Sequence, residues 1–227
     1  MMYTFSLLLS FANLLYLSAG SSKWFFDSNF SKPDPPMLVA EYYANFVQHK
    51  WDATGISNIA SGTIYANLEV GRLRMDLTHD GVVASSLFDY SNANQDGTVP
   101  NYMYTLAPTT ASNGTCAQYT VVPAYPLFTP DILIQSEATF VGLVNDDLFY
   151  VHREPLNAWD VLIAASISAT VYVDSNNTLV RMDFSTPMLN TFTTTRLFNI
   201  KANRPANNLF DNPCPEVPVD SGARRTT

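Results

Sequence analysis

The chain has 227 residues, a formal net charge of −8, 14% charged residues and 13% aromatic residues. The lack of any basic run excludes a nucleic-acid partner held through its phosphates, and the aromatic content excludes a disordered acidic chain. Length and composition fit a single domain around one hydrophobic core.

Residues Met1 to Gly20 carry no charge, hold an apolar block from Phe5 to Leu17, and end in the small residues Ser18-Ala19-Gly20. This pattern predicts a signal peptide over 1–20. The block is shorter than the roughly 20 apolar residues of a bilayer span, and Ser6, Ser10 and Asn13 interrupt it, which leaves a retained anchor as the lesser alternative. No other stretch approaches membrane length, so no stable membrane span is expected in the mature chain. Residues 21–36 read as an irregular leader ending in Pro33-Asp34-Pro35-Pro36, a run that neither a helix nor a central strand tolerates. A single β domain is expected over 37–214, followed by a disordered tail over 215–227.

Within the domain, β-branched and aromatic runs are punctuated by Gly, Asn, Asp and Pro, the signature of an all-β fold. Two hairpins are clearest. In the first, Ile64, Ala66 and Leu68 alternate with Tyr65, Asn67 and Glu69; after Gly71, Leu73, Met75 and Leu77 alternate with Arg72, Arg74 and Asp76. In the second, Val171 and Val173 lead into Asp174-Ser175-Asn176-Asn177, and Val180, Met182 and Phe184 then alternate with Arg181 and Asp183. Period-2 alternation gives each hairpin one apolar and one polar face. Tyr65 with Arg74-Met75-Asp76 recurs as Tyr172 with Arg181-Met182-Asp183 at the same spacing, which reads as one hairpin geometry used twice, with the arginines and aspartates forming a cross-strand charge lattice. Further strands are expected at 38–47, 82–90, 102–106, 117–122, 140–144, 148–152 and 191–200. One short helix is expected at 156–165, where Trp159, Leu162 and Ile163 share a side. So long an antiparallel sheet must curl or be covered, which points to a half-open barrel, a barrel or a sandwich.

Residues with chemistry are sparse. The sequence holds no nucleophile elbow, zinc-protease, P-loop or dinucleotide motif. His49, His79 and His152 are isolated, and Asp146-Asp147 reads as a solvated turn. The string Asn92-Ala93-Asn94-Gln95-Asp96-Gly97 resembles the start of a calcium loop, yet Met103 stands where the bidentate Glu belongs, so calcium is a weak reading and no metal or cofactor is assigned. Cys116 and Cys214 are the only cysteines, and in a secreted chain the economical reading is one disulfide, with two free thiols as the alternative. Asn29, Asn113 and Asn176 each begin an Asn-X-Ser/Thr glycan acceptor. The apolar hairpin faces, Ile64, Leu68, Leu73, Met75, Val171, Val173, Val180 and Met182, are the candidate lining of a cavity for a lipid-like ligand, with ordinary core packing as the plain alternative.

Three stretches resemble the ependymin-related secreted glycoproteins: Gly71-Arg72-Leu73-Arg74-Met75-Asp76; Cys116 opening a strand before a Pro-rich segment; and Leu197-Phe198-Asn199-Ile200 followed by Pro205, Phe210 and Pro213-Cys214. The likeness runs in order over 37–214, although family members usually carry more cysteines. It implies a curved antiparallel half-barrel shared with LolA-like lipoprotein carriers, a hydrophobic cavity, extracellular or lysosomal residence, an association with calcium in some members, and no catalytic residues. Two alternatives stand beside it: an extracellular structural or adhesion glycoprotein without a cavity, and a secreted hydrolase assembled from residues such as His152, Asp147 or Asp160.

The mature chain is expected to begin near Ser21 and to carry a glycan on at least one of Asn29, Asn113 and Asn176. Intact-mass analysis before and after glycosidase checks both; an unshifted mass retaining Met1 contradicts them.

Overall fold

The computed structural model describes residues 32–107, 114–121, 129–146, 154–163, 167–186 and 190–214. The strand expected at 148–152, Asn29, Asn113, Asp147 and His152 lie outside them. Eleven strands form one sheet: β1 (Glu41–Asp52), β2 (Ser57–Asn67), β3 (Arg72–His79), β4 (Val82–Asp89), β5 (Val99–Leu106), β6 (Thr115–Val121), β7 (Thr139–Val144), β8 (Leu156–Ile163), β9 (Ile167–Val173), β10 (Leu179–Thr186) and β11 (Thr191–Lys201). Their order is β6-β5-β4-β3-β2-β1-β11-β10-β9-β8-β7, antiparallel throughout. The one described α-helix is a single turn, α1 (Ile132–Gln135).

Alternation and register give every strand the same two faces. From Phe46 on β1, the register runs outward through Gly62 and Leu77 on one side and Leu197 on the other. Tyr42, Ala44, Phe46, Ile64, Ala66, Leu73, Phe88, Met182, Val171 and Trp159 all fall on this inner face and belong to one buried cluster. Laid flat, eleven strands at about 4.8 Å spacing would span roughly 48 Å, and a four-residue helix cannot cover such an apolar surface. The sheet curves, so that its inner face covers itself. Gly62 helps: a Cβ there would sit 1.9 Å from the Asp76 carbonyl oxygen, so only glycine permits this approach of β2 and β3.

The segment expected to be helical, 156–165, is strand β8 over Leu156–Ile163. Trp159 and Val161 point inward opposite Val171 and Ala169, while Ala158 and Asp160 face Tyr172 and Thr170. The spacing of Trp159, Leu162 and Ile163 matched a helical stripe, but β9 offers a full ladder of hydrogen bonds, and pairing with it overrides the local pattern.

The outer face is largely polar and is strapped by the C-terminal segment. Arg72 donates to Asp89 (3.0 Å) and to the Phe210 carbonyl (3.2 Å), and Arg74 donates to Asp76 (2.8 Å) and to the Leu209 carbonyl (3.0 Å). These two arginines hold a turn of 3-10 helix, Asn207–Phe210, in which Phe210 is buried. A disulfide joins Cys116 on β6 to Cys214 across a separation of 98 residues. The second hairpin repeats the geometry: Arg181 lies opposite Tyr172 and grips Asp183 through two hydrogen bonds, but its further partner is Asp146, which also pairs with Arg196 at 3.2 Å. Burial, with the adjacent Asp183 carboxylate that accepts its hydrogen bond, pushes the Tyr172 hydroxyl up to about 12. On the edge strand β7 the ladder slips by one residue between Phe140 and Gly142.

Two outcomes follow for stability. Replacing both cysteines by alanine frees the strap and is expected to cost about 2–5 kcal/mol in urea unfolding. Burial alone would raise the Asp89 carboxyl, but hydrogen bonds from Ser91, Asn92 and Arg72, with the Arg72 charge, outweigh it and hold the group below the usual carboxylate range. Because the folded value is the lower one, this stabilisation is complete above about pH 4 and disappears as pH falls through the folded value. Asp89→Asn is therefore expected to destabilise the fold at neutral pH by about 1–3 kcal/mol, with the gap to the parent narrowing in unfolding titrations below about pH 4.

Candidate hydrophobic site on the inner face

The inner face is not equally covered along its length. At one end the chain folds back on itself: the Leu38 N–H donates to the Pro130 carbonyl at 2.7 Å, and the Val39 N–H donates to the Asn177 carbonyl at 3.1 Å. This places Leu38 and Leu133 in the buried cluster. Here lie Leu73, Val99 and Val173, all fully buried. Moving toward the other end, cover decreases on three strands, whereas on β4 it is kept as far as Ala84 opposite Leu77. On β3 burial falls from Leu73 through Met75 to the half-buried Leu77; on β9 it falls from Val171 through Ala169 to the half-buried Ile167; on β10 it falls from Met182 to the half-buried Phe184. Among the described residues, the curved sheet is thus closed at the end bearing the β2–β3 and β9–β10 turns and less covered, on β3, β9 and β10, at the end bearing the β1–β2 and β3–β4 turns.

The sequence-predicted lining residues fall largely together. Ile64, Leu73, Met75, Val171, Val173 and Met182 sit in the single buried cluster, and Leu68 packs against it half-buried. Val180 is buried outside that cluster, because the register of β10 slips between Leu179 and Arg181. Alternation alone did not identify the open-end residues Leu77, Ile167 and Phe184 as distinct from the rest, since the difference lies in which segments fold back over them. The inner face also carries matched polar groups, Ser86 donating to Asn101 (2.7 Å) and Gln48 donating to Thr195 (2.9 Å). The indole Nε1 of Trp159, which is 2% exposed and edge-on to Phe140, has no hydrogen-bond partner among the described residues. A buried donor left unmatched is uncommon.

At the open end Lys50 continues the inner row of Phe46 and Gln48, is exposed, and makes no ion pair among the described residues. The carboxylates near it are engaged: Asp52 accepts from Thr54 and from the Ile56 N–H within its turn, and Asp80 accepts from Asn58. The hydrogen bond from the Thr54 hydroxyl, helped by backbone N–H groups and outweighing burial, holds the Asp52 carboxyl below its usual range.

The other candidate groups do not converge. Asp160 is on the outer face, where it accepts from Thr170 at 2.7 Å. His49 packs on Trp51, and His79 lies 3.7 Å from Asp80. Asp146 pairs with two arginines where the sequence pointed to a solvated turn. In the 92–97 loop Asp96 and Asn94 both spend their side chains on Thr98, and among the described residues no three His, Cys, Asp or Glu side chains gather around a metal position. Asn176 is exposed on the β9–β10 turn, beside a surface pocket of about 420 Å³ lined by Val39, Asp174, Thr178, Asn199, Ile200 and Ala202. No described helix is long and apolar enough to cross a membrane.

No protein-family model and no curated protein matches the chain. Among solved structures it is similar to an uncharacterized conserved protein from Thermus thermophilus, with 8% identity over 79% of this chain and 88% of that one and a TM-score of 0.41. It is also similar to a putative outer membrane lipoprotein-sorting protein domain from Vibrio parahaemolyticus, with 9% identity over 78% of this chain and 91% of that one and a TM-score of 0.36. A third is a LolA superfamily protein from Nitrosomonas europaea, with 6% identity over 78% of this chain and 92% of that one and a TM-score of 0.30. At such scores, what the inner face can do has to be argued from its own geometry.

Proposed function

We propose that the chain is a glycoprotein of the secretory pathway, extracellular or lysosomal, that carries a fatty-acid-like ligand on the inner face of its curved sheet. The observation that supports this reading is the decrease in burial along β3 and β9: one continuous apolar surface, buried at one end and only half-buried at the other at Leu77 and Ile167. An acyl chain laid on these residues extends the core outward. At about 25 cal/mol per Å² of apolar surface it gains several kcal/mol before the cost of association. Lys50 stands where a carboxylate head would emerge, and the unmatched Trp159 Nε1 offers a donor to a ligand acceptor. The ependymin-like pattern of residues agrees with this reading, as do the three sequons and the apolar leader.

One observation favours a second reading, an extracellular structural glycoprotein. Most inner residues toward the closed end are already buried by protein, with Leu73, Val171 and Val173 at 0% exposure. On that reading the open end is a frayed margin of a filled core.

Native mass spectrometry of protein purified from its host, followed by organic extraction, is expected to release a co-purifying lipid. Phe184→Asp and Leu77→Asp, both at the uncovered end, are expected to weaken uptake of a fluorescent fatty acid roughly tenfold or more while leaving the far-UV CD spectrum unchanged. Met75→Asp, within the buried cluster, is expected to unfold the protein outright. Absence of bound lipid together with no uptake by the folded protein would establish the structural reading.

A further inference from the structure

At the closed end the sheet splits between β10 and β11. Their ladder ends at Arg181 opposite Arg196, while β11 runs on to Lys201 beside Tyr43 of β1. A register shift between Tyr43 and Asn45 and a φ of 53° at Asn199 sit at this departure. The gap forms the surface pocket of about 420 Å³, walled by Val39 before β1, by the β9–β10 turn, and by Ile200 and Ala202 at the end of β11. That volume lies within the roughly 300–1,000 Å³ of small-molecule sites. Polar groups on the wall are already committed: Asp174 Oδ1 accepts from the N–H groups of Asn176 (2.9 Å) and Thr178 (2.8 Å), and the Asn199 amide donates to Asn45 (3.1 Å). The side-chain amide of Asn176 makes no hydrogen bond among the described residues, and it stands on the pocket wall as the first residue of the acceptor Asn176-Asn177-Thr178.

The pocket and the acceptor on its wall together identify the occupant. A sugar joined to the Asn176 amide nitrogen starts at the pocket and needs little affinity of its own to stay there, because the covalent tether keeps it at high effective concentration. N-Acetylglucosamine suits the lining: the C–H face of its ring and its acetyl methyl can lie on the half-buried Val39 and Ile200, while its hydroxyls keep to the open side. We propose that Asn176 is glycosylated and that the first N-acetylglucosamine of its glycan seats in this pocket, bridging the β9–β10 turn to the segment before β1 and to the end of β11. Transfer forms a bond from the Asn176 amide nitrogen to C1 of that sugar, breaks the bond from C1 to the lipid diphosphate of the donor, and releases an amide proton. Thr178, which completes the acceptor, is 5% exposed in the folded chain, so transfer precedes closure of the turn and the sugar is present as the pocket forms. This rests on the secretory-pathway reading above and not on the carrier reading.

The test uses the full chain secreted from a eukaryotic host. Glycopeptide mapping is expected to find Asn176 occupied. Trimming the glycans to their first sugar with an endoglycosidase is expected to leave the thermal midpoint of the parent unchanged, whereas Asn176→Gln lowers it by about 3 °C or more. Should Asn176→Gln not be secreted, complete removal from the folded parent with an amidase gives the same reading. Ala202→Glu keeps the acceptor but puts a charge on the pocket wall, and in that background Asn176→Gln is expected to shift the midpoint by less than half as much as in the parent. An occupied Asn176 whose loss shifts nothing, a full shift already reached on trimming, or equal shifts with and without Ala202→Glu overturns the proposal. An unoccupied Asn176 beside an occupied Asn29 or Asn113 overturns it too and leaves the secretory reading standing. An unoccupied Asn176 in a chain whose midpoint rises in free N-acetylglucosamine would make the pocket a site for a free sugar, and equally overturns it. No glycan at any of the three acceptors together with a retained Met1 ends both the proposal and the secretory reading.

Discussion

The fold depends on one constraint: a single antiparallel sheet in which nearly every strand alternates in phase, so that most of the apolar side chains face the same way. Such a surface cannot stay flat in water. With little helix among the described residues, the sheet covers its own inner face by curving, and Phe46, Leu73, Val171 and Trp159, far apart in sequence, enter one cluster. The stability of each strand is thus tied to that of strands it never touches along the ladder, and burial at the centre depends on curvature set at close approaches such as Gly62 against Asp76.

The outer face solves a complementary problem. A curved open sheet needs something to hold its outer side, and the two related hairpins do this with the same Tyr, Arg and Asp set pointed at different partners. Arg74 captures a carbonyl of the C-terminal strap, whereas Arg181 captures Asp146, which follows β7. Each arginine is anchored first by the aspartate two residues along its own strand. That fixes the guanidinium before it reaches across, and lowers the entropy lost in making the longer contact.

Much of this was legible from residue patterns alone. The hairpins around Ile64–Leu77 and Val171–Phe184, the all-β class, and the pairing of Cys116 with Cys214 follow from alternation and from the cysteine count, which speak through local chemistry. Strand β8 was misread because Trp159, Leu162 and Ile163 satisfy a helical spacing as well as Trp159 and Val161 satisfy a strand spacing; the choice belongs to β9, which the segment itself does not encode. Strand β6 showed little alternation because both of its faces are largely open to water. The roles of Arg72 and Arg74 in clasping the strap were hidden for the opposite reason: the residues looked like an ordinary lattice, and their partners are backbone carbonyls more than a hundred residues away, which leave no mark in side-chain identity. The open end of the inner face was hidden too, since it is defined by where Leu38 and α1 fold back and where they stop.

The slipped register in β7 has a consequence for the chain in company. Among the described residues the open sheet has two unpaired margins, β6 and β7, and an unpaired margin is a template on which a neighbouring molecule can add a strand and start edge-to-edge polymerisation. The β6 margin is pinned by Cys116 to the C-terminal strap. On β7 the extra residue at Val141, followed by Gly142 at a φ of 143°, breaks the even spacing of donors and acceptors that an incoming strand would need. Val141 and Leu143 remain exposed there, yet they decorate a ladder with a missing rung, which disfavours growth by strand addition at that margin.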